Sequence, residues 1–104
     1  MTSEAFPPLG VYAVTARCDE GTLDGVMNFG MRPTFRQGPE RAVFEVHILD
    51  REGLDLYGQR MEVSLHKFLR RERRFDGVDD LKAQIDSDIL AARDVLSRIR
   101  KGDV

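Results

Sequence analysis

A β-rich α+β fold, four strands followed by one long helix, is what this sequence predicts, and two observations carry most of the prediction. Residues 42–49 and 61–68 alternate along the chain with a period of two. Val78, Leu81, Ile85, Ile89, Ala92, Leu96 and Ile99 instead recur at steps of three and four, the stripe of an amphipathic helix.

Taken in order, residues 1–9 form a short polar lead containing Pro7 and Pro8, and Gly10 opens the first regular segment. Residues 11–18 are rich in β-formers (Val11, Tyr12, Val14, Thr15) and read as a first strand. Asp19, Glu20, Gly21 and Thr22 supply a turn, and residues 23–29 return as the second strand of a hairpin. Residues 30–41 carry two glycines and two prolines and are expected to be a loop, with Pro33 pushing Arg32 towards extended geometry.

In residues 42–49, Ala42, Phe44, Val46 and Ile48 face one way and Val43, Glu45, His47 and Leu49 the other, so Glu45 and His47 share a face. Both faces are largely apolar, as in a barrel wall or a strand between layers. Gly53 and Gly58 hinge a turn region over residues 50–58. Beyond it Met61, Val63 and Leu65 oppose Glu62, Ser64 and His66. For the helix, Asp76 is the expected N-cap, and Asp79 and Asp80 suit the positive N-terminus. Arg98, Arg100 and Lys101 suit the negative end, and Gly102 the stop.

The length of 104 residues predicts a single domain, residues 1–104, with a modest core. At 41% apolar and 33% charged the composition is that of a soluble globular chain, and no apolar run approaches a bilayer span. A single cysteine, Cys18, excludes an intrachain disulfide and points to a reducing cytoplasm, and the first ten residues do not read as a secretory signal. The net charge of −2 gives no reason to expect nucleic acid. Charge is nevertheless uneven: Arg60, Lys67, Arg70, Arg71, Arg73 and Arg74 precede an acidic helix.

Glu45 fits two readings from pattern alone: a carboxylate turned to solvent, or one partly desolvated in a cleft, where its pKa would rise and it could accept a proton. Asn28, Arg32 and Thr34 surround a Gly-Met-Arg-Pro turn that could present an amide, a guanidinium and a hydroxyl to a ligand, or be a plain connection. The arginines of residues 70–74 could bind phosphate through forked hydrogen bonds or form a basic surface. No spacing suggests a metal site, and there is no Walker-type glycine loop.

Several of these segments occur in a telling order. They are Gly10-Val11-Tyr12-Ala13-Val14, Asn28-Phe29-Gly30-Met31-Arg32-Pro33-Thr34-Phe35, Glu45-Val46-His47-Ile48-Leu49 and Asp55-Leu56-Tyr57-Gly58. Arg70, Glu72 and Phe75 follow, then Leu81, Gln84, Ile85, Asp88 and Ala92 in the helix. Over about residues 10–96 the series resembles the riboflavin kinase domain that ends bacterial bifunctional FAD synthetases.

The resemblance implies a six-stranded Greek-key barrel with a C-terminal helix, and transfer of the γ-phosphoryl group of ATP, with Mg2+, to the 5′-hydroxyl of riboflavin to give FMN. It implies that Glu45 is the general base, that Asn28, Arg32 and Thr34 lie near the substrates, and that Arg70 and Phe75 belong to a loop covering the flavin. The family's glycine-rich entry and Pro-Thr-Ala-Asn motif, which hold the magnesium and the phosphates, do not occur ahead of Gly10. An incomplete barrel is therefore expected, with open edges that pair with a second copy or a partner. A non-catalytic flavin or nucleotide binder, or a structural remnant of the same fold, is the alternative to a kinase; neither nucleic acid nor a membrane is expected.

Overall fold

The computed structural model describes residues 7–32, 41–50 and 60–102. Within them run β1 (Gly10–Cys18), β2 (Gly21–Arg32), β3 (Arg41–Ile48), β4 (Glu62–Arg70) and α1 (Val78–Arg100). All four strands are antiparallel in one sheet ordered β3-β2-β1-β4. A fourth strand lying beside the first, with the second and third on its far side, is the Greek-key arrangement. Among the described residues the sheet does not close on itself, and β3 and β4 are its outer strands. The predicted incomplete Greek-key barrel with one C-terminal helix is thus the architecture observed.

Several boundaries differ from expectation: β2 begins at Gly21, so Gly21 and Thr22 belong to the strand and not to the turn, and three further differences shape the site. β2 runs on through Gly30 to Arg32, because Gly30, Met31 and Arg32 pair with Val43, Ala42 and Arg41. A partner strand supplies hydrogen bonds that outweigh the loop tendency of Gly30, so the ladder extends up to the residue before Pro33. β4 reaches Arg70 rather than stopping at Phe68, and two register irregularities against β1 let it curve as it goes. The helix N-cap is Gly77, with no side-chain cap, and not Asp76; the Leu81 N–H instead donates to the Gly77 carbonyl at 3.2 Å. The helix stop is as read: Gly102 takes φ 79° and its N–H bonds to the Ile99 carbonyl. Thr34 and residues 55–58 lie outside the described residues.

The pleat sorts side chains onto two faces. Tyr12, Val14, Met27 and Phe29 form one buried cluster with Val46 against it. There Phe44 stacks on Phe29 at 4.3 Å between centroids and Phe68 meets Tyr12 edge-on at 5.2 Å. Fully burying such a side chain is worth about 1.5–3 kcal/mol. On the other face Ala13, Leu49, Ala92 and Leu96 are buried, with Val26, Leu69, Ile89 and Val95 packed around them.

The helix packs on that second face, but unevenly. Its second half is buried through Ala92 and Leu96 and tied to the sheet by Arg93–Asp50 and Arg100–Asp24 ion pairs. In the first half Val78, Leu81 and Ile85 remain exposed although they continue the same stripe. That half stands off the sheet, and the space beneath it is the candidate site.

Candidate functional site

The sheet register puts four side-chain positions from four strands in one row. Glu45 on β3 is opposite Asn28 on β2, Asn28 is opposite Val11 on β1, and Val11 is opposite Arg70 on β4. Directly opposed residues of an antiparallel pair point to the same face, so the whole row looks towards α1. Three strand-to-strand steps separate its ends by roughly 15 Å. His47 is opposite Val26 one step along the same face, as the alternation of residues 42–49 predicted.

Between this row and the first half of α1 lies a cavity of about 400 Å³. Val11 and Val26 line its sheet side together with Asn28, Glu45 and His47; Leu81, Ile85 and Ile89 line its helix side. Arg70 at the end of β4, with Glu72, Arg73 and Phe75 from the segment joining it to α1, completes the lining. An apolar enclosure with a few convergent polar groups is the usual form of a small-molecule site.

Gly10, at the start of β1, is needed for this geometry. Its φ of 154° is one that residues with a Cβ rarely adopt, and a Cβ there would lie 2.4 Å from the Arg70 carbonyl oxygen and 2.5 Å from the Phe68 ring. The glycine lets the end of β4 close on β1 where Arg70 enters the cavity.

Of the residues singled out from sequence, Asn28, Glu45, Arg70 and Phe75 all line the cavity. Arg32 is placed by its backbone at the end of β2, opposite Arg41, and Thr34 lies outside the described residues. Glu45 is exposed, so these walls alone do not supply the desolvation that the cleft reading asks of it. Asn28 is the reverse case: its Oδ1 is buried with no hydrogen-bond partner. A buried acceptor without a donor costs about 1–3 kcal/mol, and a ligand hydroxyl would remove that cost.

The group missing from the sequence reading of the site is Asp88. This carboxylate is 6% exposed and accepts a fork of two 2.8 Å hydrogen bonds from Arg70 Nε and Nη2. Gln84 Nε2 donates to the same carboxylate at 3.0 Å, while Gln84 Oε1 accepts from Arg73 Nη1 at 2.9 Å. The Arg73 and Arg70 guanidiniums sit 4.9 and 5.9 Å from the centre of the Phe75 ring. Two arginines of the basic run therefore border the cavity. The signal available in the sequence was Asp88 itself, an acid beside Ile85, Ile89 and Ala92 on the apolar stripe.

Among the described residues no three His, Cys, Asp or Glu side chains converge on a point where a metal ion could sit. No helix among them is long and apolar enough to cross a membrane.

Comparison with known proteins meets this geometry. The family model described as flavokinase, riboflavin kinase, matches residues 1–96. The bifunctional riboflavin kinase/FMN adenylyltransferase of Escherichia coli K12 is 47% identical over 92 residues, 88% of this chain and 28% of that protein. Its counterpart in Pseudomonas fluorescens is 45% identical over 87 residues (84% and 27%), and that in Bacillus subtilis 38% over 100 residues (95% and 31%). The chain thus spans under a third of the length of these relatives. Among solved structures, a crystal structure described as a macrolide-efflux protein from Streptococcus pneumoniae superposes with a TM-score of 0.74 at 31% identity, covering 86% of this chain and 28% of that one. Motif order, fold and family match agree, and the chain belongs to the riboflavin kinase family.

Proposed function

We propose that this chain is a single domain supplying the flavin side of a riboflavin kinase site, in which the 5′-hydroxyl of riboflavin is phosphorylated to FMN. The observation that carries the reading is the row setting Glu45 beside Asn28 on the wall of an apolar cavity, in a chain of this family. The planar ring system occupies the end near Arg70, Arg73 and Phe75, and the ribityl chain runs along the row to Asn28 and Glu45. Asn28 Oδ1 accepts a hydrogen bond from a ribityl hydroxyl. Glu45 takes the 5′-hydroxyl proton as that oxygen bonds to the γ-phosphorus of ATP, the bond from phosphorus to the bridging oxygen breaks, and ADP leaves. Arg32 and Thr34 act on the substrate side near the turn that follows β2.

Magnesium-ATP is the donor in this reading, with magnesium neutralising phosphate charge when bound. The chain's own described part is to bind the acceptor, orient its hydroxyl and take its proton. The outer strands β3 and β4 pair with a second copy or with another protein segment, and the location is the cytoplasm. Sedimentation at tens of micromolar tests the pairing, and a strictly monomeric species would speak against it.

The test of function is FMN formation from riboflavin and magnesium-ATP, followed by chromatography, with flavin fluorescence titrated in parallel. Turnover that falls about 100-fold or more in Glu45→Gln is the expected result for a lost general base. Turnover unchanged by that substitution removes Glu45 from the role. Saturable flavin binding without FMN favours the second reading, a flavin-binding half-site on the same scaffold.

A further inference from the structure

The segment of residues 71–75, between β4 and α1, contains neither strand nor helix, yet it carries the cavity residues Glu72, Arg73 and Phe75. Two arginines anchor it through polar contacts. Arg70 donates through Nε and Nη2 to Asp88 and through Nη1 to the Arg71 carbonyl at 2.9 Å. Arg73 donates to Gln84, which donates in turn to Asp88. Both guanidiniums face the ring of Phe75. Asp88 is thus the common terminus of both chains of contact.

A carboxylate at this position is costly for the fold. Burying an ion pair rarely stabilises more than an apolar pair of the same size, because both charges lose their hydration. Leucine at position 88 would simply continue the stripe of Ile85, Ile89 and Ala92. What the carboxylate adds is direction: its two oxygens fix the plane of the Arg70 guanidinium, and a forked pair tolerates little rotation.

We propose that Asp88 is a positioning residue for the flavin end of the cavity: by orienting Arg70 directly and Arg73 through Gln84, it holds the Phe75 ring where the planar ring system binds. The inference rests on the reading of the cavity as a flavin site. Asp88 acts through the two arginines and has no part in proton transfer. Its influence falls on flavin affinity and leaves the chemistry at Glu45, at the opposite end of the row, alone.

The experiment compares four forms of the chain by fluorescence titration with riboflavin: wild type, Asp88→Asn, Gln84→Ala and Arg93→Ala. Arg93 pairs with Asp50 on the far half of the same helix, outside the cavity, and controls for loss of a helix–sheet ion pair. Asp88→Asn should weaken riboflavin binding roughly tenfold or more, the scale of a charge-assisted hydrogen bond. Gln84→Ala, which keeps the Arg70–Asp88 fork, should weaken it by a smaller factor, and Arg93→Ala should leave it unchanged. Should Asp88→Asn fail to fold, Gln84→Ala against Arg93→Ala decides the matter. Equal binding by Gln84→Ala, Arg93→Ala and wild type overturns the proposal.

A wild-type chain that does not bind riboflavin sinks the flavin reading and leaves the positioning claim to a ligand-free measurement. The Arg70 Nε–H resonance should exchange slowly with solvent in wild type and Arg93→Ala and rapidly in Asp88→Asn, with a matching shift of the Phe75 ring signals. The same Nε–H exchange rate in all three proteins overturns it.

Discussion

The two faces of the sheet are built from alternate residues of the same strands, and they have opposite characters. On one, Tyr12, Val14, Met27 and Phe29 close into an apolar cluster finished by aromatic pairs. On the other, the row from Glu45 through Asn28 and Val11 to Arg70 mixes charge, amide and methyl groups and leaves space beneath the helix. Along β2 the assignment alternates residue by residue: Met27 and Phe29 are buried in the cluster, while Val26 and Asn28 face the cavity. The first face is closed over its whole cluster; the second packs against half of the helix and leaves the Asn28 acceptor unsatisfied beside the cavity.

The largest effect expected from this contrast is on the closed face. Phe29→Ala removes a ring 2% exposed and stacked on Phe44, and should lower unfolding free energy by about 3–5 kcal/mol in a urea titration. A loss below one kcal/mol would mean that this face is not the closed core described.

A smaller effect of opposite sign is expected one residue away. Asn28→Leu replaces a buried acceptor without a partner by an apolar group of similar shape, so the protein should gain about 1 kcal/mol while riboflavin binding weakens. A variant that is both less stable and equally good at binding would erase the distinction between the faces.

The smallest effect concerns pH. Burial pushes the Tyr12 phenol above its ordinary value of 10.0, because the phenolate would lose hydration. A group whose pKa is raised on folding contributes stability that is complete below the unfolded value and is lost as pH climbs through the folded one. Wild type should therefore lose stability above about pH 10 more steeply than Tyr12→Phe. At neutral pH the variant should be slightly weaker, by about 1 kcal/mol, for loss of the hydrogen bond from Tyr12 to the Pro8 carbonyl. Parallel alkaline limbs for the two proteins would show that Tyr12 is not the titrating group.

Much of the site was legible before any fold was seen. The period of two in residues 42–49 put Glu45 and His47 on one face, and both line the cavity. Motif order brought Asn28, Arg70 and Phe75 to attention, and all three line it too. Asp88 was not legible as part of the site, because its partner Arg70 is 18 residues distant on another element and no local pattern pairs a strand end with a helix face. Nor was the division of α1: its apolar stripe is regular from Val78 to Ile99, yet Val78 is 69% exposed and Leu96 only 1%.

What the sequence determined by itself is the set of elements and the face each side chain takes, since backbone period and residue type are local properties. The tertiary structure alone decided which of those faces meet. Cross-strand register turned Glu45, Asn28, Val11 and Arg70 into a single row. The packing of one half of α1 lifted the other half off the sheet, and Asp88 came to hold the arginines there, because long-range contacts depend on how whole elements dock.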